Sequence, residues 1–569
     1  MKKITKVIAA ATALSAALGV CAYAAEDTIE DKVIAGYQAW FNTEGDGSPR
    51  NEWVHWGRPE VGHLTFDAYP DVRDYSVEDL KETYFAELGN GEKSKLFSSY
   101  RAGVIDKHFE MMHDYGIDGV AVQRFGSVTI NGVEERFKNS VDILKNVKAS
   151  AEKHNELFYV MYDISGLSEE NLVEDLKADW QQVILNDLDI TSSPSYAKDN
   201  GRPVVCLWGL GIREGTGEQY SELIDWFHDK GCYVIGGVSK SWRDQIAKDE
   251  AMEKAFCKLD MLSPWSVGSA KTDSDVDSDA SILAADKAYL DEKGIAYQPV
   301  MFPGFSWSNW KDNAVRNQIP RRAGDFMWRQ AYNIAKQDIH CGYIAMFDEY
   351  DEGTAILKLA EDSSMIPKDQ YFITASADGS YTSSDLYMRL AGYIPKVLRG
   401  EEEITEEMPL LLSEGPVYFR SGFEKYFDAQ PVDGNGELVK DELTYNGRYA
   451  LKLNRVGGGG EMLTKLSELD FSAEKINIGI SAYLAGGSAE LSVGLETADG
   501  DVLYSDLSFA NGKWTYNTLT DISVAGKNIT GLILKAKGTD DYKIYIDDVI
   551  VTEDASLINS QVNGSKYDL

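Results

Sequence analysis

Between residues 33 and 348 short apolar runs recur at 33–40, 119–126, 157–164, 203–209, 232–238, 261–266, 297–302 and 342–348. Most are followed by polar turns and then by amphipathic stretches, such as 139–154 and 322–339, whose apolar positions fall at helical spacing. Strand-like runs that are apolar throughout belong in a sheet buried on both faces, and regular alternation with helices implies parallel strands. Eight such units predict an α/β fold, a (β/α)8 TIM barrel, whose active site lies at the C-terminal ends of the strands. Residues 385–397 read as a closing helix, and residues 400–410 carry five glutamates and Pro409. From Ser421 to Val551 the pattern changes to short alternating runs separated by Gly, Asn and Asp, the mark of an all-β sandwich. The division that follows is a leader at 1–25, a barrel at 28–400, an acidic linker at 401–415, a sandwich at 416–555 and a disordered tail at 556–569.

The predicted strand ends gather one kind of chemistry. They carry Tyr37 and Trp40, Gln123 and Arg124, Asp163, Trp208, Trp265, Phe305, and finally Glu349 with Glu352. Rings that stack on sugar faces, amides and carboxylates are what a glycan pocket needs. The last end is the most informative: Phe347-Asp348-Glu349-Tyr350-Asp351-Glu352-Gly353-Thr354 follows the apolar run Gly342–Met346. Two glutamates leaving one strand end could share a pocket, and glycosidic cleavage takes two carboxyl groups, one to protonate the leaving oxygen and one to act on the sugar. An acidic solvated turn is the alternative for such a segment.

The formal charge of −36 argues against nucleic acid and anionic membranes as partners, since both attract basic surfaces. It suits an extracellular protein acting on a polysaccharide or other glycan; oligomeric state is not legible. Met1-Lys2-Lys3, an alanine-rich apolar stretch and Ala22-Tyr23-Ala24 describe a secretory signal peptide cleaved after Ala24 or Ala25, with lipid attachment at Cys21 as the alternative. Secretion is therefore expected. The remaining cysteines, Cys206, Cys232, Cys257 and Cys341, lack C-x-x-C spacing. With neither a metal triad nor a phosphate-cradling glycine loop in the sequence, catalysis is expected to need no cofactor.

Five blocks in order, Gly36-Tyr37-Gln38-Ala39-Trp40-Phe41, Trp53-Val54-His55-Trp56, Pro303-Gly304-Phe305, Arg321-Arg322-Ala323-Gly324 and Glu349-x-x-Glu352-Gly353-Thr354, resemble glycoside hydrolase family 99, the endo-α-mannosidases and endo-α-mannanases. The resemblance spans roughly residues 30 to 360, with Asp348, Tyr350 and Asp351 standing where the family has Asn, Trp and His. It implies a barrel fold and retaining cleavage of α-mannosidic chains. By position, it makes Glu349 the base acting on the sugar 2-hydroxyl and Glu352 the acid/base. It also implies sugar contacts from Tyr37, Trp40, His55, Trp56 and Tyr350. A family 71-type endo-α-glucanase and a non-catalytic secreted glycan-binding protein are the alternatives.

In the C-terminal part, Ser421-Gly422-Phe423-Glu424, Asn446–Leu451 and Tyr545–Val549 resemble jelly-roll carbohydrate-binding modules. That resemblance implies a structural Ca²⁺ held by Glu424 and Asp547, with surface charge as the alternative. Calcium prefers six to eight oxygen ligands, so backbone carbonyls would have to complete the shell.

Overall fold

The computed structural model describes residues 28–58 and 63–559. The signal-peptide reading and Cys21 lie outside the described residues. A parallel sheet curls through the first part of the chain, in the order Ala296–Tyr297, Met261–Trp265, Tyr233–Ser239, Arg202–Leu210, Leu157–Asp163, Gly119–Phe125, Val33–Tyr37, Gly342–Ile344 and Val300–Met301. Each expected strand is present. The two ends of this path, Ala296–Tyr297 and Val300–Met301, come from one short stretch of chain broken at Gln298-Pro299. Helices cover the outside. Glu134–His154 starts earlier than its apolar pattern indicates, and Asp325–Ala335 is shorter than the expected 322–339. The cause at 322–324 is a tight turn in which Arg322 and Ala323 take left-handed backbone angles that no continuous helix accepts.

Strand Val33–Tyr37 is wholly buried, and Gly36 shows why its sequence is constrained. A Cβ there would stand 2.1 Å from the Tyr343 hydroxyl and 2.4 Å from Met346 Sδ. Only glycine lets side chains of the last strand cross the sheet interior at that level.

Beyond Leu386–Leu398, the expected closing helix, residues 401–415 run without helix or strand along the first part of the chain. Ile404, Met408 and Leu410 pack on its core, and Trp328 donates its indole N–H to the Thr405 carbonyl at 3.1 Å. Two antiparallel sheets follow. One runs Glu437–Lys440, Tyr449–Arg455, Tyr542–Thr552, Lys475–Gly486, Thr515–Ser523, with Val417–Ser421 also paired to Tyr542–Thr552; the other runs Gly460–Ser472, Asn528–Gly538, Ala489–Thr497, Val502–Asp506. Alternating residues such as Leu451, Leu453, Ile544 and Ile546 of the first sheet meet Leu491, Val493, Leu532 and Leu534 of the second in one apolar core. The tail expectation fails for its first residues: Ala555–Asn559 is a 3-10 turn, with Ile558 buried and its carbonyl accepting from the Tyr516 hydroxyl at 2.5 Å. The rest of the tail lies outside the described residues.

Candidate active site

The segment 347–355 leaves the sheet and folds back on itself. Thr354 and Ala355 donate backbone N–H groups to the Glu349 carbonyl at 3.0 and 2.8 Å, and Gly353 supplies the left-handed turn between them. The loop is fixed from outside as well. Arg321, fully buried, donates to the carbonyls of Gly353 and Ala355 at 2.8 and 2.7 Å. Asp348 is buried and accepts the backbone N–H groups of Gln38 and Ala39 at 2.7 and 2.8 Å, tying the loop to the end of the first strand. Ala39 and His55 both hold positive φ, 49° and 62°, which costs on the order of 1–3 kcal/mol each and persists only where surrounding contacts impose it.

Glu349 and Glu352 occupy different environments on this loop. Glu349 is buried; its Oε2 accepts the Gln38 amide at 3.0 Å and its Oε1 the backbone N–H groups of Asp351 and Glu352 at 2.8 and 3.3 Å. Burial, then Asp351 and Glu352, push its pKa well above the ordinary glutamate value. Glu352 sits half-buried, and among the described residues its carboxyl has no hydrogen-bond partner. Burial raises it too, while Lys311 and Arg213 oppose the rise. One carboxyl is thus anchored and the other free to meet a ligand. Asp351 does not point away as surplus charge: it lies 2.6 Å from His55 Nδ1. Burial lowers His55 to about 3 and raises Asp351, so both shifts favour uncharged partners and the contact is a hydrogen bond rather than an ion pair.

His55 stacks on Trp40 with centroids 3.6 Å apart, and Trp40 also stacks with Phe125 at 5.2 Å. Together with Gln38 and Gln123, these rings line a cavity of about 280 Å³, joined to Glu349 through the Gln38 amide. A second aromatic group, Trp208 and Trp265, packs edge to face at 5.2 Å, with the Arg213 guanidinium 5.7 Å above Trp208. Phe305 is buried against Trp307, whose neighbour Trp310 is exposed and carries Lys311 Nζ 3.8 Å over its ring. Asp67 holds this loop by accepting from Ser306, Ser308 and Asn309 at 2.6–2.8 Å.

Four expected sugar contacts are corrected. Tyr37 is fully buried, its hydroxyl 2.9 Å from His108 Nδ1. Trp56 is fully buried among Phe41, Phe66, Phe97 and Tyr350, and its N–H is satisfied by the Phe97 carbonyl. Tyr350 is buried in the same cluster, with its hydroxyl donating to the Lys358 carbonyl. Arg124 points away from the pocket into a buried bidentate pair with Asp179, at 2.7 Å for both bonds. These residues shape the pocket from behind and do not reach it. Asp163, nearly buried, spends its Oδ1 on the Ser165 N–H at 2.8 Å, which fixes a turn.

Sequence reasoning missed Gln38, Arg213, Lys311 and Trp307 as members of the site. Gln38 follows the end of the strand Val33–Tyr37, which is buried throughout and so carries no alternation that reports direction. Arg213 and Lys311 lie in loops, where no periodicity reports direction.

In the C-terminal part, Glu424 and Asp547 as placed do not fit a calcium cage. Asp547 Oδ2 accepts the N–H groups of Tyr445 and Asn446 at 2.8 and 3.1 Å, and its Oδ1 that of Asp548 at 2.8 Å. Glu424 Oε1 accepts those of Arg448 and Tyr449 at 2.6 and 3.0 Å. Among the described residues no group of three or more His, Cys, Asp or Glu side chains is arranged to hold a metal. Burial, against the opposing backbone N–H groups, lifts Glu424 to about 8 and Asp428 to about 6. A carboxyl whose pKa is raised by folding stabilises the fold at low pH, and that contribution is lost as pH climbs from its unfolded value toward 8. The melting temperature is therefore expected to fall from pH 5 to pH 8 in EGTA, and Glu424→Gln, which mimics the protonated acid, to flatten that slope. Equal slopes for the two proteins would refute this account, and a calcium-induced rise over EGTA would reinstate the ion.

On the first of these two sheets Tyr483 and Tyr545 pair across neighbouring strands, and Trp514 lies 5.5 Å from Tyr483 and 5.7 Å from the half-exposed Tyr445. The Trp514 N–H is buried and has no partner among the described residues. These rings form a ribbon on that sheet.

The chain matches no protein-family model and no curated protein. Its structural neighbours are endo-α-mannosidases of glycoside hydrolase family 99, glycoside hydrolase-like proteins and carbohydrate-binding modules. It is similar to the family 99 endo-α-mannosidase from Bacteroides thetaiotaomicron, with 14% identity and a TM-score of 0.49 over 66% of this chain and 99% of that one. A glycoside hydrolase-like protein aligns at 14% identity and a TM-score of 0.39, over 59% of this chain and 98% of that one. The family 22 xylan-binding domain of Paenibacillus barcinonensis Xyn10C aligns at 19% identity and a TM-score of 0.19, over 24% of this chain and 94% of that one. No helix among the described residues is long and apolar enough to cross a membrane.

Proposed function

We propose that this chain is a secreted glycoside hydrolase that cleaves α-linked glycans, α-mannosides first among them, with retention of configuration. The observation that carries the reading is the pair Glu349 and Glu352 on one braced loop at the strand ends, one carboxyl anchored and one free, beside an aromatic and amide-lined cavity. In this reading the curled sheet closes as an eight-stranded barrel through the stretch 296–301. The two C-terminal sheets form a jelly-roll whose Tyr483, Tyr545 and Trp514 ribbon stacks on sugar rings.

The chemistry follows the roles that the family 99 resemblance implies. Glu349 takes the proton of the sugar 2-hydroxyl, and that oxygen bonds to the anomeric carbon as the bond to the leaving oxygen breaks. Glu352 gives its proton to that leaving oxygen. In the second half Glu352 takes a proton from water, the water oxygen bonds to the anomeric carbon, and the carbon–O2 bond opens. Glu349 then returns the proton to O2. Burial raises both pKa values, and at Glu349 the neighbouring carboxyls of Asp351 and Glu352 add to the rise, which favours Glu352 as a proton donor and makes Glu349, once ionised, a stronger base than a free carboxylate.

Reducing-end release from yeast α-mannan, compared with α-1,3-glucan, tests the assignment. Release from mannan alone is expected. Release from glucan alone would move the chain to the family 71-type reading, and binding without release from either would make it a glycan-binding protein.

A further inference from the structure

The cavity joined to Glu349 through Gln38 has a charge opposite to that of the chain. The protein has 92 acidic residues against 56 basic ones, yet this lining includes Arg50 and Arg136, beside the uncharged His55, and no aspartate or glutamate. Arg136 lies in the first turn of the helix Glu134–His154, exposed, and among the described residues it has no carboxylate partner; its neighbour Glu134 is taken by Lys138 at 2.5 Å. Arg50 pairs with Glu52 at 3.1 Å, but Glu52 is mostly solvent-exposed, so the pair is weak and exchangeable. The rest of the lining is rich in donors. Gln123, Ser127 and Ser140 contribute, and the Trp40 indole N–H is buried without an acceptor.

The carboxyl cluster on the loop accounts for Arg213 and Lys311, which act on Glu352. It does not account for Arg50 and Arg136, which act on His55 on the cavity side. Cations and unfilled donors around a space of about 280 Å³ match an oxyanion carried by a sugar.

We propose that this cavity is a subsite for an anionic substituent of the glycan, a phosphate monoester, sulfate ester or uronate carboxylate on the sugar bound next to Glu349, with Arg136 as its main contact and Arg50 as the second. The proposal rests on the hydrolase reading for its place in catalysis, but its binding arm does not. Matched manno-oligosaccharides bearing no charge, one phosphate or one sulfate, and a uronate-containing analogue, would be compared as substrates. At least one charged form is expected to exceed the neutral one in kcat/KM by about tenfold, the scale of one charge-assisted contact. Arg136→Ala should cost the charged form about tenfold more than the neutral form, and Arg136→Lys should restore part of the preference. In the second arm, calorimetric titration of the wild-type protein with mannose 6-phosphate, mannose 6-sulfate, glucuronate and mannose needs no turnover. Binding of a charged sugar that weakens in Arg136→Ala and with added salt supports the subsite even if no glycan is cleaved. Cleavage of neutral glycan with no charged-sugar preference and no charged-sugar binding would overturn the subsite and leave the hydrolase reading intact. Equal losses on charged and neutral substrates in Arg136→Ala would overturn it as well.

Discussion

Glu352→Gln is expected to lower hydrolysis of a natural α-mannan by about 10²–10⁴-fold, the usual contribution of a general acid, while glycan binding survives. The amide keeps the size of the side chain and cannot give a proton to the leaving oxygen. The Glu352 carboxyl has no hydrogen-bond partner among the described residues, so the change breaks no side-chain bond and leaves the loop as it was. Glu349→Gln should be as damaging for a different reason. It removes the base and also disturbs an anchored group, since Glu349 accepts from Gln38, Asp351 and Glu352. The two variants separate on an activated substrate. A glycosyl fluoride leaves without protonation, so it should rescue Glu352→Gln well beyond Glu349→Gln. Equal rescue would overturn the division of roles, and more than half the natural rate in Glu352→Gln would remove that residue from the mechanism.

The contrast between Glu352 and Tyr37 shows what the sequence could convey. Apolar runs in a sheet buried on both faces mark strands without ambiguity, so the expected strand positions recur in the structure, and with them the loop that carries both glutamates. Direction within a run is another matter. When both faces of a strand are buried, no alternation tells which side chains face the pocket and which face the helices. Tyr37, Trp56, Arg124 and Tyr350 lie in the right segments and point the wrong way. Asp351 was legible as a charge but not as the partner of His55, because the two meet across a sequence separation that only the folded chain closes. The Glu424 and Asp547 expectation meets the same limit. Residue type pointed to a cation, whereas the surrounding backbone presents N–H groups, which suit carboxylates already in place.

Arg124 gives the sharpest test of that distinction, because a sugar contact and a buried brace respond oppositely to mutation. Arg124 and Asp179 are both inaccessible to solvent. Besides the bidentate pair, Asp179 accepts from the Ile130 N–H at 2.9 Å and the Tyr162 hydroxyl at 2.8 Å, and Arg124 donates to Ser140 at 2.5 Å. Strand Gly119–Phe125 is thereby fastened to the neighbouring strand, to the turn after it and to two helices. Removing one partner strands a charge in the core, which typically costs about 3–5 kcal/mol. Asp179→Leu and Arg124→Met are each expected to lower the denaturation midpoint by a corresponding amount, with Asp179→Leu the worse because a guanidinium loses its proton far less readily than a carboxylate gains one. The double variant should lose less than the sum of the singles, since it leaves no orphaned charge. At a temperature where Arg124→Met is still folded, its KM should stay near that of the wild-type protein. A raised KM with unchanged stability would return Arg124 to the sugar, and additive losses in the double variant would mean that the two residues act independently.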